Sequence, residues 1–482
     1  MKDKDNELYK KRWIILFTVL SATFMATLDG SIVNVALPDM SDKLNVSSSS
    51  IQWVVTSFLI TIVATILIFG RLGDIKGKTK IFKFGVVLFT LGSLLCGFTS
   101  SLLILVIARI IQAIGAAATM STNQGIITQV FPANERGRAL GVLGTFVALG
   151  AMAGPPLGGI IVSAISWEYI FLINVPIGIL VFISTMKVFP KSNKVVDEKF
   201  DGKGALLFGI STILLFGALV QGQTVGYNNI YIILSFAIAL ISFISFIWVE
   251  SKIDLPLLYL KIFSNSLFSI SIVCAFISFI AISASNIILP FYFQDALKFS
   301  PATTGFFMIV SPIVLSIVAP FSGYLSDKIG SEILTLIGLT LTSLGLILIS
   351  TLNESSPVIM LIIFIIIMTI GNGMFQSPNN SLVMSTVTKD KLGIAGSVNA
   401  LIRNLGMVFG TSLATSLLFN RMSTKAGYRV VDYIAGRDDI FIYGMKYVYI
   451  SAAILCFIGA IITGIRLYNS KKGQSIKTEY ES

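Results

Sequence analysis

Gly70-Arg71-Leu72-Gly73-Asp74-Ile75-Lys76-Gly77 and Gly323-Tyr324-Leu325-Ser326-Asp327-Lys328-Ile329-Gly330 both read G-x-L-x-D-x-x-G. Each lies between two long apolar runs, after the second run of a six-run block if the blocks begin at the first and ninth runs. Pattern and place in the block match together, so the chain is read as two related halves with a pair of runs inserted between them. Parallel six-helix halves with a substrate site between them near the midplane are an established transporter design.

The composition agrees. Of 482 residues, 55% are apolar and only 12% charged, at a mean hydropathy of +0.87, whereas soluble chains carry about 25% charged residues. Disorder, a disulfide scaffold and an ordinary soluble enzyme are excluded on that ground. The three cysteines, Cys96, Cys274 and Cys456, lie in apolar runs without metal spacing and read as small core residues. With no histidine in the chain, proton chemistry near neutral pH falls to a perturbed carboxylate or lysine. The sequence shows no metal, haem or flavin ligand set and no phosphate-binding loop, so no cofactor is expected and the chain is not expected to be an enzyme.

A helix crossing a bilayer needs about 20 mainly apolar residues, and fourteen runs qualify. They are Trp13–Val35, Ile51–Ile68, Ile81–Thr99, Leu102–Gln129, Ala139–Ile165, Tyr169–Val188, Gly204–Gln221, Ile230–Val249, Leu267–Pro290, Thr304–Leu325, Ile333–Leu352, Val358–Gln376, Ile394–Phe419 and Tyr447–Leu467. The first is too long for a signal peptide and lacks a cleavage site, so it is expected to remain as a span. With the N-terminus inside, 26 Lys and Arg fall in cytoplasmic segments, 7 in outer loops and two, Arg109 and Arg403, within spans. This bias places both termini in the cytoplasm. The net charge of +11 reflects it and is no nucleic-acid surface, because the basic residues are dispersed without aromatic interleaving.

Four motifs carry a resemblance that covers essentially the whole chain. The first run ends Leu28-Asp29-Gly30-Ser31-Ile32-Val33-Asn34-Val35-Ala36-Leu37-Pro38. The loop Gly70–Lys80 has Gly70, Leu72, Asp74, Gly77 and basic Lys78. The fourth run carries Arg109-Ile110-Ile111-Gln112-Ala113-Ile114-Gly115, and the fifth Gly150-Ala151-Met152-Ala153-Gly154-Pro155-Pro156-Leu157-Gly158-Gly159. In these the chain resembles the major facilitator superfamily, specifically its fourteen-helix drug:proton antiporter branch. It departs from the usual pattern at Ile75, Thr79 and Ala113, and at Glu168 in the also similar stretch Trp167–Gly178. The resemblance implies an all-α integral membrane protein of 14 transmembrane helices, with an N-terminal bundle at 1–200, an inserted pair at 201–262 and a C-terminal bundle at 263–482. It further implies a proton-coupled exporter of amphipathic small molecules, monomeric, in a bacterial cytoplasmic membrane. Export of an endogenous metabolite, peptide or lipid-like molecule is the alternative on the same fold, and a non-transporting receptor or scaffold a third.

Asp29 is the clearest carboxylate within a span, about 12 Å below the outer surface at 1.5 Å per residue. A buried, exchangeable acid there suits a proton carrier that also attracts a cation; a water-facing helix end is the bland alternative. Arg109 lies at the same expected depth and needs a partner, so proton coupling and a static structural pair with Asp29 both stay open. Gly150, Gly154 and Gly158 share a face that lets a helix approach closely, while Pro155 and Pro156 bend the backbone; with Gly159 they are gating candidates by resemblance. So are Asp74, with Gly70, Gly77 and a partner in Arg136 or Arg138, and its counterpart Asp327, against the reading of a solvated loop charge. Arg403 could bind an anionic group, balance Asp29 or serve backbone carbonyls. Asn34, Gln112, Tyr292, Gln294, Asn372, Gln376 and Asn399 complete the candidate substrate-binding set.

Overall fold

The repeated motif marks a recurring turn. In the computed structural model, which describes residues 2–132, 135–189, 200–253, 256–387 and 392–481, the final glycines Gly77 and Gly330 have φ of 98° and 92° with ψ of 125° and 140°. That region is essentially closed to residues with a Cβ. Each glycine separates two helices that could otherwise merge.

The described helices are α1 (Lys2–Leu44), α2 (Ser48–Ile51), α3 (Trp53–Lys76), α4 (Lys78–Cys96), α5 (Leu102–Val130), α6 (Arg136–Ala164), α7 (Tyr169–Leu172), α8 (Asn174–Val188), α9 (Gly202–Val225) and α10 (Ile230–Glu250). They continue with α11 (Ser266–Phe291), α12 (Pro301–Met308), α13 (Val310–Ile329), α14 (Ser331–Ile349), α15 (Val358–Ser385), α16 (Leu392–Ala426) and α17 (Asp438–Glu481). A π-helical turn at Tyr292–Ala296 follows α11. Among the described residues, 13 helices are long and apolar enough to cross a membrane, and Leu149–Ala164 within α6 is a shorter apolar helix. Several helices outrun the apolar runs: α1 and α17 continue into polar sequence, where helix propensity persists but hydropathy does not.

The chain divides into two compact units. The first is Met1–Tyr259 with Leu289–Ile309 and Val431–Tyr433; the second is Leu260–Ile288, Val310–Val430 and Ile434–Ser482. The pair α9–α10, expected from the sequence as an insertion, groups with the first. In that unit, Ile15, Val19 and Leu20 of α1 pack with Phe82 and Val86 of α4, Ile126 and Ile127 of α5 and Val181 of α8. In the second, Cys274, Leu339, Phe375 and Ala460 join α11, α14, α15 and α17. Other faces are apolar and open, as on α10, where Leu234, Ile238, Ile241 and Trp248 are exposed.

The internal repeat extends beyond the loop motif. A Cβ on Gly85 of α4 would meet Gly115 O of α5 at 2.7 Å, and one on Gly338 of α14 would meet Gly371 O of α15 at 2.7 Å. Gly92 lies against Gln112 as Gly345 lies against Met368. Gly70, Gly85 and Gly92 each stand 253 residues before Gly323, Gly338 and Gly345. Both units thus bring the same two helices together through glycine, with backbone contact in place of side-chain packing.

Candidate functional site

Three helices and the start of a fourth place polar side chains at one buried point in the first unit, and α3 adds a backbone carbonyl. Asp29 from the middle of α1 is fully buried, as are Arg109 and Gln112 of α5, Ser93 of α4 and Asn174 at the start of α8. Arg109 and Gln112 are three residues apart, so one helix face presents both. Arg109 Nη1 donates to Asp29 Oδ2 at 2.5 Å and to Gln112 Oε1 at 2.6 Å. Its Nε donates to Val54 O of α3 at 3.0 Å. Asp29 Oδ1 accepts from Gln112 Nε2 at 2.8 Å and from Asn174 Nδ2 at 3.0 Å. Gln112 Nε2 also donates to Ser93 Oγ at 2.7 Å, and the guanidinium lies 4.0 Å from the Phe58 ring centroid and 5.5 Å from that of Phe171.

Away from water an unpaired charge costs several kcal/mol, and here each charge meets its complement. The guanidinium is held by a carboxylate, an amide and a backbone carbonyl, with aromatic faces against it; the carboxylate accepts three donors. In this arrangement neither Asp29 oxygen is open to a ligand. Gly92 makes the arrangement sterically feasible, because a Cβ there would meet Gln112 Cα at 2.6 Å.

The glycine run of α6 lies along α1 beside this site. Added Cβ atoms at Gly150 and Gly154 would strike Thr27 and Ser31, and one at Gly158 would meet Ile32 Cγ1 at 2.8 Å. Ser31 Oγ donates to Gly150 O at 3.2 Å. Gly159 faces elsewhere, toward Pro301 and Ala302 at the start of α12, and Gly305 of α12 returns the contact at Pro156 Cα, 3.2 Å. Pro155 and Pro156 lie inside α6 without ending it.

The remaining candidates do not gather at this point. Asn34 is buried on α1 with its Oδ1 unpaired. Tyr292 is buried in the π-helical turn beside Phe293, and Gln294 Nε2 donates to Val35 O at 2.9 Å. In the second unit, Asn372 Oδ1 accepts from Ser278 Oγ at 3.2 Å and from Gln376 Nε2 at 3.0 Å. Asn399 Nδ2 donates to Asn380 Oδ1 at 2.9 Å. Half-buried Arg403 has no hydrogen bond or ion pair among the described residues. Asp74 pairs with Lys78, one turn on across Gly77. A Cβ on Gly70 would make only an ordinary 3.9 Å contact with Ser121. The side chains of Arg136, Arg138 and Asp327 lie outside the described residues. Among the described residues no cluster of three His, Cys, Asp or Glu stands at metal-binding spacing.

Sequence reasoning singled out Asp29, Arg109 and Gln112 but missed Asn174, Ser93, Phe58 and the Val54 carbonyl. Asn174 alone left a readable signal, as a lone amide inside the sixth apolar run.

The family model described as Major Facilitator Superfamily matches residues 19–411 and 271–482. The riboflavin transporter RibZ of Clostridioides difficile (strain 630) is 36% identical over 458 residues, covering 94% of this chain and 97% of its own length. Multidrug resistance protein 3 of Bacillus subtilis (strain 168) is 30% identical over 449 residues, covering 90% of this chain and 86% of its own. The crystal structure of a bacterial homologue of the human lysosomal transporter Spinster, inward-facing and unoccupied, superposes with a TM-score of 0.64 at 15% identity, covering 94% and 96% of the two chains; that likeness speaks to the fold alone. The chain belongs to the major facilitator superfamily and is a multi-pass membrane transporter of small molecules.

Proposed function

We propose that the chain is a proton-coupled antiporter of fourteen spans that exports amphipathic, drug-like molecules from the cytoplasm by alternating access of its two related halves. The observation that carries this reading is the wholly buried Asp29, whose charge is met by Arg109, Gln112 and Asn174. Adding a proton to Asp29 removes the charge that holds the guanidinium and weakens the tie between α1 and α5. Losing the proton restores the tie. On the α6 side the seam with α1 is glycine at Gly150, Gly154 and Gly158, so α1 shifts there without α6 side chains to unlock. Asp74 and Asp327, at the repeated loops, act as charged gates between the end states. The relative from Bacillus subtilis named as a multidrug resistance protein supports the substrate class.

The test is transport in proteoliposomes under an imposed pH gradient. Lipophilic cations should accumulate against their gradient and escape when a protonophore is added; absence of gradient-driven flux for any compound class overturns the reading.

A second reading, transport of an endogenous metabolite, is favoured by the 36% identity to a riboflavin transporter and by Arg403, which has no partner among the described residues. Neutral and anionic compounds in the same assay separate the two. Under the metabolite reading Arg403→Ala loses flux of anionic compounds and spares cations.

A further inference from the structure

Antiport through Asp29 gives no role to α9 and α10, yet the open end of this helix pair holds two buried carboxyl groups. Asp201, 8% exposed, caps α9: its Oδ1 accepts from Gly204 N at 2.9 Å. Glu250, 3% exposed, is the last residue of α10, and its Oε2 accepts from Leu258 N at 2.9 Å. Each group thus gives one oxygen to a backbone N–H. The other oxygens, Asp201 Oδ2 and Glu250 Oε1, have no donor. Both crowd the space a Cβ on Gly204 would take, and the two side chains are within hydrogen-bonding reach of each other.

Among the described residues no nearby cation resolves this. Lys203 beside the cap is exposed, and Lys252 beyond α10 turns its Nζ to the Trp248 ring at 3.8 Å. On α3, which packs against α9, Asp74 is engaged by Lys78, and neither Arg71 nor Lys76 is a hydrogen-bond partner of Asp201 or Glu250. Two ionised carboxylates facing each other away from water repel with no cation among the described residues to bridge them, and such pairs hold one proton between them. The helix ends decide where it sits. Negative charge is favoured at the N-terminus of α9, at Asp201, and disfavoured at the C-terminus of α10, at Glu250.

We propose that Asp201 and Glu250 form a second proton-binding site of this protein, with the proton carried on Glu250 Oε1 and donated to Asp201 Oδ2. When occupied, the site ties the end of α10 to the start of α9 and holds Leu258 N against Glu250. Losing the proton sets two like charges face to face and loosens that hold on Leu258. The site is separate from Asp29, so it stands or falls independently of the antiport reading.

Infrared difference spectroscopy on the full-length protein in lipid nanodiscs tests it without any transport measurement. At neutral pH the wild-type protein should show a protonated-carboxyl C=O band that is lost in Glu250→Gln, shifted or lost in Asp201→Asn and retained in Asp29→Asn. Both pair substitutions keep shape and hydrogen-bonding capacity, and Asn caps a helix as well as Asp. Hydrogen exchange of the Leu258 amide provides a second readout. After correction for intrinsic exchange its protection should fall as pH rises in the wild type and stay constant in Glu250→Gln. A band unchanged by Glu250→Gln, or Leu258 protection with the same pH dependence in both proteins, overturns the proposal.

Discussion

At the scale of single residues the account rests on charge taken out of water. Asp29 and Arg109 are buried together, and removing one member of such a pair strands the other. Arg109→Ala should therefore destabilise the fold by about 3–5 kcal/mol, read as a lowered melting temperature in detergent, with part of the loss recovered when Asp29→Asn is added. Gln112→Leu removes two hydrogen bonds from Gln112 Nε2 and one acceptor from Arg109, at about 1–3 kcal/mol. The two charges were legible in the sequence because charged residues in apolar runs are conspicuous and their depths could be counted. Asn174 showed only as a lone amide in its run and Ser93 was not legible, since uncharged polar residues are common in spans and nothing in sequence says which of them face inward. The Val54 carbonyl has no sequence signature at all.

At the scale of helices, glycine decides which elements touch. Gly92→Ala drives a methyl group into the Gln112 backbone and should destabilise by about 1–3 kcal/mol as overpacking. Gly30→Ala, where nothing lies within 4 Å of the added carbon, should be neutral or slightly stabilising on helix propensity. Thermal unfolding of the two variants side by side distinguishes packing from propensity. The apolar runs revealed the helices because lipid contact demands them. They did not reveal the break between α7 and α8 at Ile173 or that between α12 and α13 at Ile309, because apolar residues fill both breaks and hydropathy does not register backbone geometry. The repeated Gly77 and Gly330 could be read as a motif; their shared positive φ explains why the motif ends on glycine.

At the scale of the molecule, the repeat and the basic-residue bias carry the topology. An offset of 253 residues links the two loop motifs and the contact glycines of α4 and α14, whose partners on α5 and α15 stand 256 residues apart. Because Cys96, Cys274 and Cys456 are buried, single-cysteine labelling can test the orientation. Asn228→Cys, in the turn between α9 and α10, should react with a membrane-impermeant maleimide from outside the cell, and Lys80→Cys should react only after the membrane is opened.

The coupling claim meets its most direct test in proton release measured on purified protein. Substrate added to the wild type should displace protons into a weakly buffered medium, and Asp29→Asn, still folded and still binding substrate, should displace none through this site. Equal proton release from the two proteins, with pH-driven transport intact in Asp29→Asn, would contradict a mechanism in which this buried acid carries the proton.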